Sequence, residues 1–545
     1  MQKFLQKLEV PHPPYEPRPT ALTNHDVKPI EKARRVWTWT AFFALWATTS
    51  FNMSNFQAGS SMLSIGLSWW QAFITLFVGH VLTALLIMIT SFPGLYYYIS
   101  FPVATRFAWG FWGSIFVVLN RITLSIVWSG VQSWQGGLMM YVCLRALWPS
   151  IDDIPNTIPA KTGMTLPQFV GFIVYFVIQL PFVFLSPSRL RYLIYAGSLS
   201  GLIVQLVLAI WACATMGSNG FGSIITQESP LPGSQVAWMG TYSISIIISS
   251  ITSGALSACD YARFAKRPIS GMWSQGLGFA PAWLSNILGI LTVAATQQRF
   301  GAKLWSVVQL LVAMQDADPT SGTRAGVFFA ALGFLISQIA LNVIANSFAG
   351  GTDIASLLPK FVNIRRGQLI TVFLGLVINP WYLLSGAIIF VSVMSAYAIF
   401  LQPFIGILLA HYFVVQKRRI KVSDLYKLGP SSIYWYTCGV NWRAVVSWLV
   451  GVVPHLPGFL ATVNPSIKVT TQASQIYYLC SITSFLIAFF LTVVLHMAFP
   501  VRAQTEYVAS VTFTSARNEV EEYIESYEQQ YETVEQQFIK EFEWA

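Results

Sequence analysis

The sequence predicts an all-α polytopic membrane protein with twelve transmembrane helices, and three observations support this fold class. Of the 545 residues, 54% are hydrophobic and only 10% are charged, whereas soluble domains carry about 25% charged residues. No Asp or Glu occurs in residues 37–151, 156–227 or 268–315. Apolar segments of about 20 residues, the length that crosses a bilayer, recur along the chain. Such runs cannot form a water-facing surface, but they can form a lipid-facing one.

Twelve apolar segments are candidates for these helices. In chain order they are residues 36–66, 71–98, 112–144, 167–186, 191–216, 236–258, 275–297, 325–348, 368–382, 384–413, 442–463 and 476–500. The ninth is short, and its separation from the tenth depends on the turn signal of Asn379 and Pro380. A count of eleven is the alternative.

The distribution of Lys and Arg predicts a cytoplasmic N-terminus. In that orientation the cytoplasmic loops hold most of the basic residues that lie in loops between spans, namely Arg106, Arg189, Arg191, Arg263, Lys266, Arg267, Lys360, Arg365, Arg366, Lys417, Arg418, Arg419, Lys421 and Lys427. The loop at 217–235, on the other side, has none. We therefore expect a cytoplasmic N-terminal tail at 1–35, a transporter domain at 36–500 and an acidic cytoplasmic C-terminal tail at 501–545.

The C-terminal tail carries a helical pattern. It contains ten Glu residues, and apolar residues recur at alternating spacings of four and three, which is typical of an amphipathic helix. These residues are Val520, Ile524, Tyr527, Tyr531, Val534 and Phe538. Both a solvated helix and a helix docked on the basic loops of the same chain fit this pattern.

Ionisable residues are nearly absent at the middle of the predicted spans. A site there must be made of neutral polar and aromatic side chains, and it favours a neutral, planar, hydrogen-bonding solute. The basic residues are scattered in short loops, so nucleic-acid binding is not expected. Five cysteines without a CxxC or HExxH string give no metal or cofactor site. Without paired mid-membrane acids, a membrane enzyme has no support either.

Two predicted spans each place a polar pair on one helix face. Trp128 and Gln132 lie four residues apart in the third span. A Trp ring offers a stacking face and a Gln amide offers both a donor and an acceptor, which together match a lactam or urea edge. Asn342 and Asn346 have the same spacing in the eighth span. Buried helix–helix packing is the alternative interpretation of both pairs.

The first and sixth spans are interrupted by small and polar residues, at 50–61 and 249–260. Broken helices at corresponding positions of two repeats indicate a transporter's central site. The two interruptions are five spans apart, as a five-plus-five inverted repeat requires. Close packing through Gly and Ser is the alternative explanation.

Four strings of this sequence resemble the nucleobase–cation symporter-1 family, more narrowly its fungal uracil, allantoin and uridine permease branch. They are RRVWTW, GSSMLSIGLSWWQA, CDYARFAKRP and GGTDIASLLPKFVNIRRGQ. The resemblance covers the chain from about residue 28 to about residue 430. It implies a LeuT-type fold of ten core helices plus two, alternating access, and cation-coupled uptake at the plasma membrane.

The resemblance also implies roles for individual residues. Trp128 resembles the family's stacking Trp, and Gln132 resembles its amide-reading Gln. Asn346 resembles the substrate-binding Asn of the eighth helix, with Asn342 as its neighbour. Three further positions complete the expected site: Asn52 and Phe51 in the broken first helix, and Met394 as a gate and selectivity residue on the tenth.

Two departures from the family pattern affect these expectations. Relatives often carry a Trp on the broken sixth helix, where this chain has Ile251, Thr252 and Ser253. Sodium-coupled relatives have two hydroxyl residues where this chain has Ala340 and Leu341. The second departure favours a proton over sodium as the coupling ion.

We therefore expect a proton-coupled importer of a small neutral heterocycle of the uracil, allantoin or nucleoside class. A thiamine or nicotinamide-riboside importer of the same family, or a transporter-like nutrient receptor, are the alternatives. Asp260, Asp353 and His80 are the candidate proton carriers. Asp260 is also expected to pair with Arg263, and Arg121 to bond backbone carbonyls at the inner gate.

Overall fold

The structure is a computed structural model that describes residues 8–11, 19–20, 22–159, 162–185, 187–217, 220–226, 228–384, 387–464 and 466–543. Nearly all of this part of the chain is helical. Its strand-like pairing is limited to two isolated bridges, Trp37 with Ala265 and Thr437 with Val440.

The main helices are numbered in chain order. They are α1 (Trp39–Ser50), α2 (Met53–Ser61), α3 (Trp69–Thr90), α4 (Phe111–Leu147), α5 (Leu166–Val183), α6 (Pro187–Ala214), α7 (Gly233–Ser250), α8 (Thr252–Ala262), α9 (Pro268–Phe279), α10 (Ala282–Phe300), α11 (Ser321–Leu341), α12 (Ala349–Leu357), α13 (Ile364–Val377), α14 (Ala387–Ala396), α15 (Ala398–Leu409), α16 (Trp442–Val452), α17 (Leu456–Val463), α18 (Cys480–Ala498) and α19 (Phe513–Glu543). A π-helical segment, Asn342–Phe348, joins α11 to α12.

Ten helical stretches of the described chain are long and apolar enough to cross a membrane. They are Trp69–Tyr97, Phe111–Leu147, Leu166–Val183, Arg189–Ala214, Gly233–Ala262, Pro268–Phe300, Ser321–Leu357, Met394–Val415, Trp442–Val463 and Cys480–Ala498. The predicted first span is missing from this set because it is broken into α1 and α2. The predicted ninth span is missing because α13 has 14 residues, or about 21 Å of helix. The count of twelve stays a prediction.

The first span is broken at Phe51 and Asn52. Asn52 adopts an extended conformation and caps α2, because its side chain accepts a hydrogen bond from the backbone N–H of Asn55. Asn55 in turn donates from Nδ2 to the carbonyl oxygens of Thr49, at 2.8 Å, and Ser50, at 3.0 Å. The carbonyl groups left without helical partners at the end of α1 are satisfied in this way.

The sixth span is broken more sharply, at the single residue Ile251 between α7 and α8. Thr252 begins α8, and its hydroxyl accepts a hydrogen bond of 2.8 Å from Gln402 of α15. Both predicted interruptions are therefore real breaks in helices.

One end of the molecule is covered by residues 22–37, which we call the N-terminal strap. Asn24 donates from Nδ2 to the carbonyl oxygens of Pro359 and Val362, both at 3.1 Å. Trp37 pairs through its backbone with the loop after α8, accepting from the N–H of Lys266 at 2.9 Å. The strap thus joins the loops that follow α8 and α12. We call this end of the molecule the tail face.

The C-terminal helix α19 docks on the strap. Arg35 donates to both carboxylate oxygens of Glu521, at 2.9 and 3.1 Å, and Lys32 lies 2.5 Å from Glu525. Burial raises the pKa of Glu521, but the hydrogen bond and charge of Arg35 outweigh it and leave the pKa below its ordinary value. Val520 and Ile524 are buried.

The tail was expected to be either a solvated helix or a helix docked on the basic loops. The structure shows a docked helix, but the residues that form ion pairs with it lie in the strap and not in those loops. The rest of the predicted apolar stripe lies outside the described side chains; these residues are Tyr527, Tyr531, Val534 and Phe538.

Candidate functional site

A central cavity lies between the two broken helices. Its empty volume is about 780 Å³, open solvent included. The described residues that line it are Leu45, Trp46, Thr49, Asn52, Ser54, Asn55, Trp128, Gln132, Ser250, Ile251, Ser253, Gly254, Tyr261, Phe279, Leu341, Ala345, Asn346 and Met394. None of these residues carries a charge.

The predicted pair on α4 meets in this cavity. Trp128 is half-buried and presents a ring to it, while Gln132 lies one turn further along the same face. The carboxamide of Gln132 is held on both sides: Gln338 donates to its oxygen, and its Nε2 donates to the hydroxyl of Ser54 at 3.3 Å. The Ser54 hydroxyl continues the network to Gln135 at 2.8 Å. The amide orientation is therefore set by three helices.

In the second predicted pair, Asn346 lies at the cavity and Asn342 lies behind it. Asn346 faces the cavity, and its Nδ2 donates to the Oδ1 of Asn342 at 3.0 Å. Asn342 is fully buried, and its Nδ2 donates to Ser133 at 2.9 Å and to Gln179 at 2.8 Å. Asn342 therefore positions Asn346 instead of lining the cavity itself. In the described part of the chain, the Oδ1 of Asn346 has no hydrogen-bond partner.

A π-helical segment sets the direction of the Asn342 and Asn346 side chains. Asn342 and Asn346 both lie in the π-helical segment, where one turn is wider than an α-helical turn. Such segments are rare and recur at functional sites. Apolar periodicity in the sequence does not reveal them.

Phe51 lies behind the cavity wall. Its side chain is buried, and its carbonyl oxygen accepts a hydrogen bond of 3.1 Å from the Ser337 hydroxyl of α11. Gly201 of α6 packs directly against the same carbonyl, since a Cβ at this glycine would lie 2.0 Å from that oxygen. The other broken-helix residue of the predicted site, Asn52, lines the cavity and caps α2.

The remaining walls are aromatic or flexible. Met394 of α14 closes one side, and Ile251 occupies the break of the sixth span. Trp46, Tyr261 and Phe279 also line the cavity, although sequence reasoning missed all three. Trp46 precedes the broken segment by one turn, and this proximity is the only sequence signal that could have identified it. Its indole N–H donates to Gln275 at 3.1 Å, which fixes the ring.

A buried ionic cluster lies between the cavity and the tail face. Arg121 of α4 donates from Nε to Asp353 Oδ2 at 2.5 Å and contacts Oδ1 with Nη2. The same Nη2 lies 2.8 Å from Oδ2 of Asp260. All three side chains are fully buried. Asp353 follows Asn346 by seven residues, so the cluster lies about 10 Å along the helix from the cavity.

This arrangement corrects two predictions. Arg121 binds carboxylates, not backbone carbonyls. Arg263 does not pair with the Asp260 carboxylate; its Nε donates to the backbone oxygen of Asp260 at 3.2 Å, and its Nη1 donates to the backbone oxygen of Asp26 at 2.8 Å. His80 lies elsewhere, with Nδ1 2.7 Å from the carbonyl oxygen of Leu76.

Comparisons with known proteins agree with this architecture. A profile of the family described as permeases for cytosine/purines, uracil, thiamine and allantoin matches residues 29–482. The allantoin permease of Saccharomyces cerevisiae is 33% identical over 490 residues, covering 88% of this chain and 76% of that protein. The uracil permease of the same yeast is 34% identical over 465 residues, covering 84% and 73%.

A solved structure shows the same fold. Mhp1, a nucleobase-cation-symport-1 family transporter in a closed conformation with bromovinylhydantoin bound, has a TM-score of 0.71. The match covers 92% of this chain and 99% of that one, at 21% identity. The predicted LeuT-type, all-α fold class is confirmed. The number of twelve spans is not confirmed and stays a prediction.

A multi-pass helical membrane transporter is the class of protein that this fold and cavity define. The chain belongs to the family of permeases for cytosine/purines, uracil, thiamine and allantoin. The resemblance to the fungal permease branch is thereby confirmed, and the protein is a permease, not an enzyme.

Proposed function

We propose that this permease imports a neutral heterocycle of the uracil, allantoin or nucleoside class together with a proton. One observation carries the substrate class: no charged residue is found among the described residues lining the central cavity. A charged solute would lose its hydration there without a counter-charge, which is strongly unfavourable. A neutral planar ring needs only a stacking face and hydrogen bonds.

The cavity supplies both of these contacts. Trp128 offers an aromatic face on which a flat ring can stack. Asn346 offers the unpartnered acceptor Oδ1 for a ring N–H. The NH₂ group of Gln132 has two hydrogens, and only one is used toward Ser54, so the second can donate to a ring carbonyl. The expected substrate therefore presents an amide-like edge.

The buried ionic cluster supports proton coupling. Arg121 is shared by two carboxylates, Asp260 and Asp353, and all three side chains are shielded from water. The buried Arg263 also lies beside Asp260 and donates to its backbone oxygen, so within the described chain Asp353 is the carboxylate whose charged partner is only the shared Arg121. A buried carboxylate without a full counter-charge is costly, so Asp353 gains from binding a proton. Protonation would loosen one of the contacts that join α4, α8 and α12. A proton is thus linked to the relative position of three helices that surround the cavity.

A sodium ion has less support. Its expected place is near the Phe51 carbonyl, where Ala340 and Leu341 offer no hydroxyl group. The Ser337 hydroxyl already donates to that carbonyl at 3.1 Å. Sodium would have to displace this bond and would then have few oxygen ligands.

The tail face is the end that we place in the cytoplasm. It carries the strap and the basic loops that the charge asymmetry assigns to the inside. Both the N-terminal tail at 1–35 and the acidic C-terminal tail at 501–545 would then be cytoplasmic, and the protein would act in the plasma membrane.

Uptake by cells that lack their own nucleobase permeases tests this function. Labelled uracil, allantoin, uridine, adenine, thiamine and nicotinamide riboside should be compared at outside pH 4.5 and 7.5, with sodium or choline. We expect uptake of a neutral heterocycle that rises at acidic pH, collapses with a protonophore and is indifferent to sodium. Loss of uptake on removing sodium, at fixed pH and potential, would overturn proton coupling.

The same experiment separates the alternatives. Uptake of only thiamine or nicotinamide riboside would contradict the substrate class, because these cations would have to rely on the aromatic walls alone. Binding of a heterocycle without any uptake would instead identify a receptor.

A further inference from the structure

A second cavity lies between the N-terminal strap and the end of the eighth span, on the tail face. Its empty volume is about 1480 Å³, open solvent included. The strap contributes Trp37 to its wall, the π-helical segment contributes Phe348, and α13 contributes Gln368. We call this cavity the vestibule. It is separate from the central cavity, and no residue among those described lines both.

Three stacked rings separate the two cavities. Trp37 and Tyr261 are nearly parallel, with ring centroids 6.3 Å apart. Tyr261 and Phe348 are 5.9 Å apart with an interplanar angle of 23°. Tyr261 lines the central cavity, whereas Trp37 and Phe348 line the vestibule. The Tyr261 ring therefore lies between the central cavity and the vestibule.

The Tyr261 ring is anchored to the opposite helix. Its hydroxyl donates to the carbonyl oxygen of Ile344 at 2.7 Å, within the π-helical segment. The bond ties α8 to the wall that carries Asn346. The stack is accordingly built from the strap, the sixth span and the eighth span.

Two residues that line the vestibule each carry a polar atom without a partner, and both atoms are closed to solvent in this conformation. The indole N–H of Trp37 and the side-chain oxygen of Gln368 have no hydrogen-bond partner within the described residues, although both side chains are 2% exposed. Buried polar groups in proteins are nearly always paired, so each exception calls for a partner. One group is a donor and the other an acceptor, which is the combination that an amide-like ring edge satisfies.

Two charged groups of the vestibule, Asp26 and Arg34, are bonded within the strap and to α13. Asp26 accepts from the backbone N–H of Ile364 at 3.0 Å, and its other oxygen lies 3.8 Å from Arg34. Arg34 also donates to the backbone oxygen of His25 at 3.2 Å. The acid and its neighbouring base thus hold the strap in place. Arg365 also lines the vestibule, with an exposed side chain. The neutral character of the ligand is therefore taken from the central cavity and not from this wall.

We propose that the vestibule is a second, weaker binding site for the transported heterocycle, occupied after the solute passes the Tyr261 ring. When the stack opens and uncovers the two unpartnered atoms, Trp37 donates to a ring carbonyl and Gln368 accepts from a ring N–H. The inference rests on the proposed function, because it takes the substrate class from the central cavity. A weak exit site would prevent immediate return of the solute while the stack re-forms.

Equilibrium binding to the purified full-length protein in nanodiscs tests this site, with tritiated uracil and tritiated allantoin as probes. For the transported probe the parent should bind two molecules per chain, one tightly and one at least about tenfold more weakly. Gln368→Leu and Trp37→Phe should each weaken the second phase by about fivefold or more and leave the first unchanged. Trp37→Phe keeps the ring and the backbone pairing, so it guards against a folding defect. Gln472→Leu, an exposed residue outside both cavities, is the matched control.

The outcomes distinguish the two proposals. Asn346→Ala should remove the tight phase and keep the weak one. A single phase in the parent, or a weak phase unchanged in both Gln368→Leu and Trp37→Phe, would overturn the vestibule site while leaving the central site intact. Absence of a tight phase for both probes, together with no uptake of either, would overturn the proposed function and this inference with it.

Discussion

Gln338 of α11 holds Gln132 of α4 from behind, donating from Nε2 to the backbone oxygen of Gln132 at 3.0 Å and also to its side-chain oxygen. With that oxygen engaged, the NH₂ group of Gln132 is the part of the amide left to face Ser54 and the cavity. The donor that we propose for a solute carbonyl is therefore positioned by a residue that does not line the cavity.

This relationship gives the first prediction. Gln132→Ala should raise the KM for uptake by an amount equivalent to about 1–3 kcal/mol, because a buried ligand carbonyl would lose its donor. Gln338→Leu should raise KM less, because the amide would still be present but free to rotate. Initial uptake rates, normalised to protein at the cell surface, measure both effects. A parental KM in Gln132→Ala would refute the role of this amide.

The second prediction concerns stacking. Trp128→Ala should weaken solute binding by about 1–3 kcal/mol, the range for a base on an aromatic face. Trp128→Phe should recover part of the loss, since it keeps a smaller ring. Competition by unlabelled solute in an uptake assay reports the affinity. Equal affinities in Trp128→Ala and in the parent would show that Trp128 is not the stacking residue, and Trp46 or Tyr261 would then be the candidates.

The third prediction separates contact from positioning. Asn346→Ala should abolish uptake, because its Oδ1 is a directional acceptor in the cavity. Asn342→Ala should leave measurable uptake with a raised KM, because Asn346 would lose only the bond that orients it. Both proteins should reach the membrane, as surface labelling can verify. If Asn342→Ala is the more damaging change, Asn342 has a further structural role through Ser133 and Gln179.

The fourth prediction concerns selectivity. Met394 is a flexible, polarizable side chain on the cavity wall, so it can adapt to rings of different shape. Met394→Ala should widen the range of solutes taken up without abolishing transport of the preferred one. The inhibition profile of a panel of purines and pyrimidines measures this range. A narrower profile would show that Met394 is a contact for the substrate and not a filter.

The fifth prediction concerns the ionic cluster. Asp353→Asn removes one negative charge and keeps the shape of the side chain, so the cluster would no longer need a proton for balance. Uptake should then lose its dependence on outside pH and cease to concentrate the solute, while exchange across the membrane persists. Counterflow and net uptake, measured side by side, distinguish these outcomes. Persistence of pH-driven accumulation would exclude Asp353 as the proton carrier.

Sequence patterns predicted which residues of a single helix line the central cavity. Trp128 and Gln132 line the cavity together because a spacing of four places them on one face of α4. The breaks at Phe51 and Ile251 were visible as runs of small polar residues. Features of this kind can be predicted from the sequence because they depend on residues that are close together in the chain.

Such patterns could not predict contacts between helices that are far apart in the sequence. Gln338 meets Gln132 across 206 positions of sequence, and Asp353 meets Arg121 across 232. Asp260 was assigned to Arg263 because the two are close in the chain, yet tertiary packing gives its carboxylate to Arg121. In a membrane interior each buried charge finds the partner that the fold supplies, and sequence proximity is a poor guide to it.

The bond between Arg35 and Glu521 has a consequence for biosynthesis. Its two partners are 486 positions apart, so at about 5–20 residues per second the ribosome needs about 25 to 100 s to supply the second one. Throughout that time the strap is made but α19 is not, and the tail face lacks its cover. The strap therefore gains this partner only from a helix made much later, and a chain released before residue 521 would carry the ten spans described above without this closure.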